Sequence, residues 1–416
     1  MTASAIPTLA AESHAQRGFY VPQFEIRIEG AGLPHDVLRD VSRVTYTDNL
    51  KEIDGFELTV NNWDADGRRF KYVGAESGAG GGSSVDADRA KLFDPCNREV
   101  EVRVGYAGNL RTLVRGTFTT LQPTFPAGGA STLVVGGLNV LHRLRRRQYS
   151  TTWPNMRDSE IAKNLGQLTD PQLGKNAKRF PMPIVISKVA LGTEPFLPYV
   201  AQSNQYDIDF LLVRAKRLGY VVCIREANPK ARDPDERRTH LYFGPSDGRQ
   251  PGARQSLYTL RWGESLIDFR PTLTTANQIR SVTVKGWDRT RKRQISNKVS
   301  LDDPELAVNK DLHELLSKCD PRDEVVVERP VHTEQEAKSI AIGILKDRHK
   351  EMVKASASCV GLPALRAGCK VDIANLGSRF SGTYYVVSTT HTIDDSGYIT
   401  RFEARREVTG SLAGAQ

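Results

Sequence analysis

The order of apolar and polar side chains divides this chain into a β-type beginning, a mixed middle and a β-type end. Phe24, Ile26 and Ile28 alternate with Gln23, Glu25, Arg27 and Glu29, which predicts a half-buried strand over 23–29. Positions 41–47 and 55–60 continue the β pattern across a polar connection at 48–55, and strands resume at 99–106, 113–121 and 131–138. Between them, 73–89 is a run of Gly, Ser, Ala and Asp with almost nothing to bury, which predicts a mobile loop. The first β unit is therefore expected over 20–147, with 73–90 as its Gly/Ser loop and 1–19 as a flexible leader.

The period then changes. Asp158 stands at the cap of a short helix with Ile161, Ala162, Leu165 and Leu168 on one face. Asp207 opens a clearer helix, in which Ile208, Leu211, Leu212, Ala215 and Leu218 share a face and Gly219 supplies the stop. Strands follow at 220–224 and 241–243, so a small α/β unit is expected over 148–254. The β pattern returns at 257–262, 267–272 and 279–287, with a helix candidate at 305–318. Thr333-Glu334-Gln335-Glu336 is a capping box opening a helix with Ala337, Ile340, Ala341, Ile344 and Leu345 inward. Strands at 353–360, 369–373 and a hairpin at 383–406, turning at Asp394-Asp395-Ser396-Gly397, complete a second β unit over 255–408 before a tail at 409–416. The fold class is mainly β (α+β), two β units bracketing a small α/β unit.

Bulk composition limits the function classes. At 416 residues the chain exceeds a typical single core, and 39% hydrophobic with 26% charged residues suits a globular protein. No run approaches the ~18 apolar residues of a membrane helix, so no membrane insertion is expected. Residues 1–16 lack a basic-then-apolar secretory pattern, so folding in a cytoplasm is expected. Cys96, Cys223, Cys319, Cys359 and Cys369 are widely spaced with no Cys-x-x-Cys pair, the pattern of small buried thiols and not of a metal site.

Net charge is +9 and the excess is concentrated in two runs. One is Arg143, Arg145, Arg146 and Arg147; the other runs from Lys285 through Arg289, Arg291, Lys292 and Arg293. Neither is interleaved with the aromatic residues that stack nucleic-acid bases, so both read as a solvated face or a charged protein interface. Enzyme motifs fail in turn. His313-Glu314-Leu315-Leu316-Ser317 has Ser where a zinc protease needs its second His, and Asp64-Ala65-Asp66-Gly67 lacks the downstream Glu of a calcium loop and reads as a turn. His391 reads as a strand histidine packing or hydrogen-bonding across its sheet. Catalytic, metal-binding and cofactor-binding residues are all expected to be none, with no small-molecule substrate.

Three blocks of sequence resemble the phage late control protein D family. The first is Val44-Thr45-Tyr46-Thr47-Asp48-Asn49-Leu50-Lys51-Glu52-Ile53-Asp54-Gly55 and onward to Asp64. The second runs from Tyr199 through Tyr206-Asp207-Ile208-Asp209-Phe210 to Leu218-Gly219 and Leu241-Tyr242-Phe243. The third is Leu365-Arg366-Ala367-Gly368-Cys369-Lys370-Val371 with the closing hairpin. The chain departs from the family pattern at Cys96, where Gly is expected after Pro95. The resemblance implies a structural, non-enzymatic baseplate hub of a contractile tail or injection system, similar to the hub portion of VgrG spike proteins. It implies two barrels of tail-tube type per chain and a homotrimer whose six barrels adapt a hexameric inner tube to a trimeric spike. Expected partners are the inner tube protein, a spike on a separate polypeptide and other baseplate proteins. Assembly is expected in a bacterial cytoplasm, before incorporation into a phage tail or injection particle. The basic runs are expected at a subunit boundary or the lumen. The alternative is a tail-associated nucleic-acid-binding or cell-wall-degrading protein.

Overall fold

The computed structural model describes residues 21–50, 52–73, 89–95, 98–174, 176–187, 191–192, 194–225, 237–246, 258–303, 322–328 and 331–406, with positions 234, 306, 314 and 318. The expected leader at 1–19, the tail at 409–416, and most of the 73–90 loop, the 305–318 helix and the 313–317 motif lie outside them.

Among the described residues, thirteen strands belong to one sheet. From one edge its order is Leu266–Leu273, Val353–Val360, Gly397–Arg406, Gly382–Asp394, Val41–Asn49, Gly55–Asn61, Thr132–Asn139, Asn109–Thr124, Val100–Tyr106, Pro22–Ile28 and Ala31–Gly32. Lys370–Ala374 branches from Gly382–Asp394 and carries the parallel strand Tyr258–Arg261. Alternation explains the pairing. In Thr132–Asn139 every second side chain is buried, and a one-residue slip would turn Leu133 and Val135 to water.

The sheet wraps two cores. Ile26, Tyr46, Leu58, Val102 and Leu133 lie in the first, Leu260, Leu365, Val371, Tyr384 and Val386 in the second. The closing hairpin serves both: Ile393 and Tyr398 near its turn enter the first core, while Tyr384, Val386, Phe402 and Ala404 near its base enter the second. Along Gly382–Asp394 the core positions change from even (Tyr384, Val386) to odd (Ile393) across a register shift between Val386 and Ser388, because the extra residue of a bulge changes which face the following side chains occupy. The turn is as expected, with Gly397 at φ 119° and the Asp394 carboxylate accepting from Ser396 N at 2.9 Å.

The first core closes against this hairpin at Gly361. Tyr106 Oη donates to Gly361 O at 2.9 Å, and Gly361 N donates to Tyr398 O at 2.9 Å. A Cβ on Gly361 would lie 2.0 Å from Tyr398 Cγ. Gly361→Ala is therefore expected to destabilise the chain by about 1–3 kcal/mol through overpacking. Thermal melting checks this; an unchanged midpoint would mean the Tyr398 ring moves aside freely.

The middle unit has its own core of Trp153, Ile161, Leu165, Phe180, Leu211 and Phe243, and it also takes Leu141 and Leu144. The break expected at 147/148 therefore does not coincide with the edge of the core, because the turn Val140–Arg145 points its leucines forward into the next unit. Helix Asp207–Leu218 ends as expected at Gly219, in the left-handed region at φ 65°. Helix Asp158–Leu165 differs in its cap. Arg157 occupies the cap position, and Asp158 is the first helical residue, its buried carboxylate taken by Arg214.

The stretch expected as one unit over 255–408 contains two cores. Helix Glu334–Lys350 covers a three-stranded sheet ordered Arg293–Ser300, Ile279–Asp288, Arg322–Val326, burying Val282, Val284, Ile295, Ile340 and Leu345 apart from the second core of the large sheet. Its capping box is displaced by one residue on one side. Thr333 Oγ1 accepts from Glu336 N at 3.1 Å, but the Glu336 carboxylate accepts from His332 N at 2.9 Å.

Candidate subunit interface

The first basic run is placed by its leucines. Asn139 caps the Val140–Arg145 turn, its side chain accepting from Leu141 N at 2.6 Å. With Leu141 and Leu144 buried, Arg145, Arg146 and Arg147 are exposed and Arg143 is half-buried. Arg145 pairs with Asp209 at 2.8 Å, and Arg147 with Asp170 at 3.3 Å. The second run occupies the turn between Ile279–Asp288 and Arg293–Ser300. There the Asp288 carboxylate accepts from Thr290 N and Arg291 N, both at 2.9 Å, and Lys292 sits at φ 51°. Arg289, Arg291, Lys292 and Arg293 are all exposed, and Arg293 reaches Glu334 at 3.1 Å. The two runs sit on different units, one at the edge of the middle core and one at a hairpin tip.

Motif chemistry resolves as structure. Asp64 accepts from Gly67 N at 3.2 Å between the short strands Trp63–Asp64 and Arg69–Phe70, a turn. Cys223, Cys359 and Cys369 are buried free thiols, while Cys96 and Cys319 lie outside the described residues. Among the described residues no helix is long and apolar enough to cross a membrane.

The seam between the two cores of the large sheet is polar, and the sequence carries no sign of it. Arg366 donates from Nε to Asp48 at 2.6 Å, from Nη1 to Leu113 O at 2.9 Å, and from Nη2 to Tyr46 Oη. Asp48 is 3% exposed and also accepts from Thr389 N and Ala367 N, both at 3.1 Å, and from Thr389 Oγ1. Burial works against the Arg366 charge, but Tyr46, Asp48 and Asp54 around it hold its pKa above the ordinary value. Tyr46 Oη donates to Asp54 at 3.2 Å and Asn139 Nδ2 donates to the same carboxylate at 2.8 Å. Burial, then the neighbouring Asp48 charge, pushes the Asp54 carboxyl up to about 7.

His391 completes the seam. Its Nε2 lies 2.9 Å from Leu365 O, which can only accept, so Nε2 carries the proton and Nδ1 accepts from Tyr398 Oη at 2.8 Å. Burial lowers its pKa to about 4, so the ring is neutral at pH 7. Asp48, Arg366, Thr389 and His391 lie in sequence blocks quoted above, but Arg366 and Thr389 meet Asp48 across 318 and 341 residues, which leaves no local signal.

The family model described as Alg8 N-terminal domain matches residues 78–395, about three quarters of the chain. The chain belongs to the Alg8 N-terminal domain family. No curated protein matches its sequence. Among solved structures, this Alg8 N-terminal domain chain is similar to the 43 kDa tail protein of prophage MuSo2 from Shewanella oneidensis, at TM-score 0.60 and 13% identity, covering 93% of this chain and 98% of that one. It is similar to the tail protein from Neisseria meningitidis MC58 at TM-score 0.60 and 13% identity, covering 93% and 97%. It is also similar to an E. coli component of the type VI secretion system, at TM-score 0.50 and 12% identity, covering 94% and 79%. At these identities the likeness is one of fold, mainly β over nearly the full length of the Alg8 N-terminal domain chain.

Proposed function

We propose that this chain is a structural baseplate hub of a contractile tail or injection system, as the resemblance to the late control protein D family implies. The observation that carries the reading is that one polypeptide wraps two barrel-like cores with a single sheet and joins them through one hairpin. Three such chains on a threefold axis present six β units in a ring. One face of that ring suits a hexameric tube and the whole suits a threefold spike. The fold shared with two tail proteins and a type VI secretion component supports the same reading. In it the 20–147 unit and the part of 255–408 that forms the second core of the large sheet supply the barrels, and the chain acts by binding the tube, the spike and other baseplate proteins. The exposed runs at Arg143, Arg145, Arg146 and Arg147, and at Arg289, Arg291, Lys292 and Arg293, are assigned to subunit or lumen surfaces. There complementary charge fixes register.

Light scattering on a sizing column tests the oligomer. With one chain at 46.1 kDa, the purified protein with its co-expressed spike is expected to contain roughly 138 kDa of this chain, a trimer. A monomer in every sample would sink the proposal. Replacing the four arginines at 143–147 by Ser is expected to impair particle assembly without unfolding the chain.

A further inference from the structure

A cavity of about 180 Å³ lies beside the first basic run, lined by Arg143, Arg146, Arg147 and Arg179 together with Asp170 and Asp207. We propose that this cavity is an oxyanion site built for a phosphate-type dianion. Guanidinium groups do not lose their charge at any ordinary pH, so four arginines against two carboxylates leave a surplus of two positive charges in a small space. The carboxylates are already engaged. Asp170 accepts from Tyr149 Oη at 2.6 Å and Gln172 N at 2.9 Å, besides Arg147 at 3.3 Å. Asp207 accepts from Gln202 Nε2 at 2.7 Å, and burial pushes its carboxyl above the ordinary value.

Two of the arginines are held with donors to spare. Arg143 Nε and Arg179 Nε and Nη1 are buried with no hydrogen-bond partner among the described residues. Arg179 stands 3.7 Å from Asp207, and its guanidinium lies over the Tyr149 ring, 3.6 Å from the centroid, a stacking that fixes its plane. Leaving charged donors buried and unpaired is costly. Water could satisfy these N–H groups one at a time; a dianion with several acceptor oxygens satisfies them together and matches the net charge of the lining. The surplus of two is also why phosphate is favoured over a carboxylate, which would neutralise only half of it.

The test uses the purified chain alone, so its outcome is independent of the hub reading. Inorganic phosphate is titrated calorimetrically at ionic strength held constant with chloride, and acetate is titrated in parallel. Saturable binding of one phosphate per chain is expected, at least tenfold tighter than acetate. Affinity should fall at least tenfold in Arg143→Gln/Arg146→Gln and stay unchanged in Arg145→Gln, whose partner Asp209 lies outside the cavity lining. Melting curves of each variant separate loss of the site from loss of the fold. Adenosine monophosphate binding as tightly as inorganic phosphate would assign the site to a phosphate group on a larger ligand, and much weaker binding would assign it to the free ion. No saturable heat beyond the chloride-matched blank, equal affinity for acetate, or equal phosphate binding by a folded Arg143→Gln/Arg146→Gln variant would each overturn the proposal.

Discussion

Arg366→Met is expected to destabilise the chain by about 3–5 kcal/mol, the cost of leaving one partner of a buried ion pair without the other. The substitution keeps a side chain of similar length over Tyr46 but removes the charge that faces Asp48 at 2.6 Å. Asp48 retains the donors of Thr389 and Ala367, which pull the loss toward the lower end of that range. Arg366 also bonds Leu113 O in the first half of the sheet, so its removal loosens the seam as well as the pair. Urea unfolding of Arg366→Met, Asp48→Asn and the double variant measures the coupling directly. The double variant should be less destabilised than the two single losses added together. Strict additivity would show that Asp48 is satisfied by its neighbours and that the pair contributes nothing of its own.

What could be read from the sequence follows from how each element is buried. Pro22–Ile28 and Gly55–Asn61 bury one face, so alternation reveals them; Asp207–Leu218 buries a helical stripe and ends on a glycine that can take positive φ. Gln148–Met156 and Leu197–Tyr206 escaped a strand assignment because they pair mainly with each other and leave most positions exposed. In the first of them only Trp153 is fully buried, which gives periodicity nothing to detect. The helix-covered sheet inside 279–350 merges with the second β unit in the sequence for a different reason. Its strands alternate like any others, and only the three-dimensional path assigns Val282 and Val284 to a separate core.

The candidate surfaces divide the same way. With Leu141 and Leu144 taken by the core, Arg145, Arg146 and Arg147 stay exposed, so most of the first run is legible as surface. The contribution of Arg179 to the same cavity was not, since it sits in an aperiodic polar stretch. Asp48 and Arg366 are 318 residues apart, and no local rule pairs them.

The seam should also give the chain two opposed pH dependences that single variants separate. The folded-state pKa of Asp54, about 7, lies above the ordinary carboxyl value of 3.8. Between those values the folded chain holds a proton that the unfolded chain has released. Its contribution is therefore complete below 3.8 and is lost as pH rises through about 7. The full span corresponds to at most about 4 kcal/mol. His391 runs the other way. Its pKa falls from 6.5 to about 4 on folding, so stability is complete above 6.5 and is lost as pH falls toward 4, over at most about 3 kcal/mol. Between pH 4 and 6.5 the two slopes largely offset, and between 6.5 and 7 only Asp54 contributes. Relative to wild type, His391→Gln should lose stability as pH rises across that window, because Asp54 then titrates unopposed. Asp54→Asn should gain stability as pH rises, because His391 then acts alone. Urea unfolding at a series of pH values from 4.5 to 7.5 reads these slopes, whatever constant offset each substitution adds. If both variants kept the wild-type profile, neither group would be titrating in the folded seam. The short distances from His391 to Tyr398 and Leu365 would then reflect packing alone.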